Sequence, residues 1–190
     1  MKSLTLRARI YIISVITIGA MIFLNCSLTW VGWSSEMWFS MLLLGVLAAT
    51  AQILKVEGAT ARSSYELSWV VWGFTLALYG PDAAAFTILV SYVAEWMWHK
   101  QKWFISCFNI GAFSIAIAVA NSIGSLIQDI DPNSMTMMVG ARLTTTIIFT
   151  LFNHFLVGLV LWFARGENFA QSGVLNVFPV MLDLSTFGMG

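Results

Sequence analysis

The amino-acid sequence predicts an all-α protein, a polytopic integral membrane bundle of about six or seven transmembrane helices. Two observations predict this class. Of the 190 residues, 59% are hydrophobic and only 9% are charged, whereas a soluble domain carries about 25% charged residues. Apolar stretches also recur along the chain, close to the roughly 20 residues that a helix needs to cross a bilayer. So few charged residues cannot cover an aqueous surface, so lipid is the expected environment.

The predicted spans form one transmembrane domain over residues 1–190. They cover residues 10–30, 37–54, 66–79, 83–98, 103–127, 136–164 and 172–190. Spans 3 and 4 are short and meet at Gly80-Pro81-Asp82, where proline fixes its own φ and disfavours helix in the preceding residue. They either cross the membrane fully or form a re-entrant hairpin. Because span 7 reaches the last residue, we expect the chain to continue into a further module; a stand-alone membrane subunit is the alternative.

The distribution of charge orients these spans. With the N-terminus in the cytoplasm, the cytoplasmic segments contain eight of the nine basic residues, namely Lys2, Arg7, Arg9, Lys55, Arg62, Lys100, Lys102 and Arg165. The outer segments contain only acidic charges, at Glu36, Asp82, Asp129 and Asp131. Basic residues resist translocation, so the pattern predicts a cytoplasmic N-terminus. Net charge is zero, and no nucleic-acid partner is expected.

Four ionisable side chains fall inside the predicted spans: Glu95, Arg142, His154 and Asp183. Such groups are costly in lipid and are functional candidates. Asp183 is expected to pair with His154 or Arg142, and the predicted depths favour His154. A hydrogen bond between helices is the expected role of His154, and axial ligation of a haem or a chlorophyll-type pigment is the alternative. Arg142 is expected to extend towards the outer surface.

Glu95 and His99 are four residues apart and share one helical face. No third or fourth ligand accompanies them, so we predict a local hydrogen bond and no metal site. A basic turn containing Lys100 and Lys102 follows. Glu95 is therefore interpreted as a helix-end carboxylate that couples spans 4 and 5 to the cytoplasmic side, and Arg142 is assigned to the same coupling class.

Spans 5 and 6 carry asparagines among small residues. Such residues either mediate close helix packing in lipid or line a ligand cavity. Together with the two ionisable groups that follow them, they form the candidate ligand-binding set of Asn109, Asn121, Asn153, His154 and Asp183. The sequence contains no H-E-x-x-H, G-x-S-x-G, P-loop or CxxC pattern. No catalytic residue is therefore expected within these 190 residues.

Several short motifs carry a family resemblance over residues 40–170. They are Ser63-Ser64-Tyr65-Glu66-Leu67-Ser68, Leu78-Tyr79-Gly80-Pro81-Asp82-Ala83-Ala84-Ala85, Glu95-Trp96-Met97-Trp98, Lys102-Trp103-Phe104, Phe108-Asn109, Asn153-His154-Phe155-Leu156-Val157-Gly158 and Ala164-Arg165-Gly166-Glu167. These resemble the polytopic membrane domain that precedes HD-GYP phosphodiesterase or GGDEF diguanylate cyclase modules in bacteria. Several such domains are distantly similar to the S-components of ECF vitamin transporters. The resemblance implies a location in the bacterial inner membrane, although no signalling module falls within the sequence.

Three functions are therefore considered. The resemblance implies a sensory or regulatory input domain of a signalling protein, which is the first expectation. The second is an accessory or structural subunit of a larger membrane complex, with or without a pigment. The third is an S-component-like small-molecule binding or uptake subunit, which predicts a cavity open to the outside and lined by spans 5 and 6. Partner chains or further copies of this chain are expected alongside the lipid.

Overall fold

The computed structural model describes residues 4–54, 56–57, 64–65, 67–166 and 177–188, and the side chains of 4–54, 67–166 and 180–188. Within these ranges the helices are α1 (Leu6–Trp30), α2 (Ser35–Ile53), α3 (Ser68–Tyr79), α4 (Pro81–His99), α5 (Trp103–Gln128), α6 (Met135–Arg165) and α7 (Val177–Gly188). The predicted all-α membrane bundle is confirmed. A short antiparallel ribbon, β1 (Val56–Glu57) with β2 (Ser64–Tyr65), was not predicted from the sequence.

Helix boundaries follow from capping residues. The side chains of Thr5, Ser34 and Ser134 accept hydrogen bonds from backbone amides in the first turns of α1, α2 and α6, which satisfies donors that the helices leave unpaired. Gly80 alone joins α3 to α4 and has a φ of +87°, a conformation that glycine adopts readily. Pro81 then begins α4, where its missing N–H is not needed. The chain therefore changes direction at Gly80, the single residue between α3 and α4.

Among the described residues, four helices, α1, α2, α5 and α6, are long and apolar enough to cross a membrane. Their large apolar side chains lie exposed on the surface of the bundle, for example Leu28, Phe39 and Leu43, so these helices contact lipid. Helix α3 has 12 residues and rises about 18 Å, which is short of the roughly 30 Å hydrocarbon core. The choice between a full crossing and a re-entrant hairpin for α3–α4 stays a prediction.

Three interhelical turns lie at one end of the bundle. The Trp30 Nε1 group at the end of α1 donates a hydrogen bond to the carbonyl oxygen of Asp82, at 3.1 Å. Ala77 near the end of α3 lines the same cavity as Gln128 and Met138, which flank the α5–α6 connection. We name this the acidic end, because it holds Glu36, Asp82, Asp129 and Asp131. The opposite, basic end holds Arg7, Arg9, Lys100, Lys102 and Arg165. Of the other predicted cytoplasmic residues, Lys2, Lys55 and Arg62 lie outside the described residues, and the orientation in the membrane stays a prediction.

An aromatic core joins α3, α5, α6 and α7. Trp72 packs on Phe113 with ring centroids 4.9 Å apart, and Phe149 stacks on Phe187 at 4.3 Å. A Cβ atom added to Gly73 would overlap the carbonyl oxygen of Phe187, so this glycine lets the end of α7 approach the backbone of α3. The predicted span over 172–190 is described only over 177–188, and that helix fills the space between α3 and α6.

Candidate functional site

A cavity of about 210 Å³ opens at the acidic end of the bundle. Four helices line it: α3 with Gly73, Leu76 and Ala77, α5 with Asn121, Gly124, Ser125 and Gln128, α6 with Met138, Ala141, Arg142, Thr145 and Thr146, and α7 with Phe187. Its volume lies below the roughly 300–1,000 Å³ of pockets for drug-sized ligands. The cavity therefore has room for a molecule that is smaller than a typical drug.

Arg142 gives this cavity its charge. The residue lines the cavity from the second turn of α6 and is exposed, and no described carboxylate lies within ion-pair distance of it. The amides of Asn121 and Gln128 and the hydroxyl of Ser125 share the cavity wall. A guanidinium flanked by neutral hydrogen-bonding groups is suited to a carboxylate or phosphate group of a ligand.

A second cluster lies deeper, between α6 and α7. The Nε2 atom of His154 is 2.9 Å from Oδ2 of Asp183, so the pairing that the predicted depths favour is confirmed. The His154 and Asp183 side chains are 10% and 23% exposed, which places the contact inside the helix interface. Because Asp183 engages Nε2, axial ligation of a haem or pigment by this nitrogen would require the pair to separate.

Two further polar side chains of α6, Thr150 and Asn153, are buried within one turn of His154. Thr150 and Asn153 are 0% and 6% exposed. The hydroxyl oxygen of Thr150 and the amide oxygen of Asn153 make no hydrogen bond to any part of the chain that the structure describes. Buried polar atoms of this kind are uncommon in proteins and point to a bound water, ion or ligand group.

Glu95 belongs to a different group of residues, near the basic end. It is 2% exposed, and its Oε2 atom accepts a hydrogen bond from Nε2 of Gln52 at 3.1 Å. The Oγ–H group of Ser68 donates to Oε1 of Gln52 at 2.5 Å. Glu95 thus turns into the bundle and links α4 to α2 and α3, while His99 is exposed at the end of the same helix.

The sequence-predicted residues lie in separate parts of the structure. Asn121 and Arg142 share the cavity, and Asn153, His154 and Asp183 share the α6–α7 interface. Asn109, in the second turn of α5, is not among the residues that line the cavity. Glu95 and Arg142, predicted together as coupling residues, lie at opposite ends of the bundle.

Several site residues were not predicted from the sequence. Gln52 is a buried amide in the last turn of an apolar helix, a position where a polar residue is also typical of a helix terminus. Gln128 and Ser125 lie in the last turn of α5 next to Asp129, where a polar residue at a membrane surface gives no distinct signal. Thr150 resembles any other threonine in a membrane helix.

No protein-family model and no curated protein matches the chain. Among solved structures, the bundle is similar to the S component of a bacterial ECF transporter, with a TM-score of 0.59. The alignment covers 83% of this chain and 94% of that chain at 14% sequence identity. At this identity the likeness shows a shared fold. It supports the predicted distant similarity to S-components, whereas the link to HD-GYP or GGDEF modules stays a prediction.

Proposed function

We propose that this chain is a membrane-embedded, small-molecule binding subunit of the S-component type. The observation that carries the proposal is the cavity at the acidic end, lined by α3, α5, α6 and α7, in a bundle whose fold is similar to that of a transporter S component. The fold likeness favours this function over the sensory input domain that the sequence placed first. An energising partner module in the bacterial inner membrane belongs to the same proposal.

The ligand of the proposed site carries a carboxylate or phosphate group. Arg142 carries a guanidinium group in a helix that is apolar enough to cross a membrane, and such a residue is costly in a membrane unless it serves a function. Its position on the cavity wall supports ligand binding over simple extension to the membrane surface. With the predicted N-terminus in the cytoplasm, the acidic end faces outward, so the ligand would enter from the outside.

Small molecules retained by the purified protein test this proposal. The chain is extracted from membranes in mild detergent, and bound molecules are released and identified by mass spectrometry. We expect an anionic small molecule to accompany the wild-type chain and Arg142→Gln to retain about 10- to 100-fold less of it, because a charged hydrogen bond contributes about 1.5–3 kcal/mol.

Arg165→Gln provides the matched control. It removes the same group from the same helix, but at the basic end and away from the cavity, so it should retain the molecule as the wild type does. Equal retention by the wild type and Arg142→Gln would contradict the role of Arg142. A wild-type chain that retains neither a small molecule nor a partner would contradict the function itself.

A further inference from the structure

The interface between α6 and α7 contains a buried set of oxygen atoms that the proposed function does not use. Helix α7 runs antiparallel to α6, since Asp183 contacts His154 while the later Phe187 stacks on the earlier Phe149. These two contacts define the side of α6 that faces α7. They are two successive contacts along the pair of helices.

Along α6, Thr150 and Asn153 lie between the two residues that make these contacts, Phe149 and His154. Thr150 is four residues before His154 and Asn153 is four residues after Phe149, and residues four apart lie on one face of a helix. Both side chains therefore face α7. Because they are 0% and 6% exposed, their oxygen atoms cannot turn to lipid headgroups or to bulk water.

The Thr150 hydroxyl differs from the other buried hydroxyls of the bundle. Thr75, Ser91 and Ser114 each donate back to the carbonyl oxygen four residues earlier in their own helix, at 2.7–2.8 Å. Thr150 makes no such bond, so its buried oxygen has no partner among the residues that the structure describes. Leaving two such oxygens without partners costs about 1–3 kcal/mol each, which a bound species would offset.

The chemistry of this set indicates the class of that species. The available atoms are a hydroxyl oxygen, an amide oxygen and the carboxylate of Asp183, and oxygen donors of this kind suit hard cations. The set includes one carboxylate, and its partner His154 is charged only when protonated. A monovalent cation would neutralise that carboxylate, whereas a divalent cation would leave a net charge in the membrane.

We propose that Thr150, Asn153 and Asp183 bind a monovalent alkali cation between α6 and α7. The described parts of α3 and α5 carry no charged residue. Arg142 and Arg165, each about three turns from His154 along α6, are the other charged groups on the described helices that form this interface.

Thermal unfolding of the purified chain tests the site. Midpoints are measured in NaCl, KCl and LiCl and in choline chloride at the same ionic strength and at pH 8. We expect one alkali cation to raise the midpoint above that in choline by several degrees, in a saturable way.

Thr150→Val removes the hydroxyl while nearly preserving shape, and it should abolish the cation-specific rise. Thr75→Val is the matched control, because Thr75 is equally buried and donates to its own helix; it should keep the rise. Equal midpoints in all four salts would show that the oxygens are bridged by water and would overturn the proposal. So would a cation-specific rise that persists in Thr150→Val. Neither result depends on whether the cavity at the acidic end binds a small molecule.

Discussion

The basic end and the acidic end of this bundle both place polar side chains among apolar helices, but these side chains are buried at the basic end and exposed at the acidic end. At the basic end, Gln52, Ser68 and Glu95 are at most 2% exposed and bond to one another across α2, α3 and α4. At the acidic end, Asn121 and Arg142 are exposed to an open cavity. The first group is satisfied within the chain, and the second is available to another molecule.

This difference separates structural polar residues from binding residues. A buried polar group contributes to stability only when its partners are present, because a lost partner leaves a desolvated donor or acceptor behind. A polar group on a cavity wall is hydrated in the absence of ligand, so its removal costs the fold little. Substitutions at the two ends should therefore separate into changes of stability and changes of binding.

The largest expected effect on stability is at Gln52. Gln52→Leu removes the residue that bridges Ser68 and Glu95, and it leaves a carboxylate in the interior without this donor. We expect the free energy of unfolding to fall by about 3 kcal/mol, measured by denaturation in mixed detergent micelles. Small-molecule retention per folded protein should stay unchanged.

A triple variant sharpens this prediction. Replacing Gln52, Ser68 and Glu95 together by apolar residues of similar size should recover much of the lost stability, since no unpaired polar group remains. A single Gln52→Leu variant as stable as the wild type would contradict the conclusion that this group stabilises the fold. A ligand-retention defect in the folded Gln52→Leu protein would contradict the conclusion that the group has no part in binding.

Gly73 connects stability to the cavity and is expected to show an intermediate effect. Gly73→Val places a side chain against the Phe187 carbonyl, so α7 must move away from α3 and the cavity wall moves with it. We expect a loss of about 2 kcal/mol in unfolding free energy together with reduced retention of the small molecule. Gly140→Val on α6 is the control, because nothing lies within 4 Å of the added Cβ there.

The helices were predictable because their determinants are local. The lengths of the apolar stretches and the Gly80-Pro81 reversal place α3 to α6 within a few residues of their observed bounds. The pairing of His154 with Asp183 was also predictable, since a carboxylate and an imidazole at similar depth in lipid are expected to meet.

The cavity and the buried networks were not predictable in the same way. The cavity depends on how far apart α3, α5, α6 and α7 pack, and no local pattern encodes that spacing. Thr75 donates a hydrogen bond to its own helix and Thr150 makes none within the described residues, a difference that the local sequence does not encode. Gln52 was missed because an amide near the end of an apolar helix resembles a polar helix terminus until α3 and α4 are seen to bury it.

The smallest expected effect on stability, and the sharpest test of the comparison, is at Asn121. Asn121→Leu removes a polar group from the cavity wall and should change the unfolding free energy by no more than about 0.5 kcal/mol. Affinity for the retained molecule should fall about five- to tenfold, the loss expected for one neutral hydrogen bond. Asn109→Leu makes the same chemical change on the same helix away from the cavity. Isothermal titration with the identified molecule should then show weaker binding for Asn121→Leu and wild-type binding for Asn109→Leu; the reverse order would place the binding site elsewhere in the bundle.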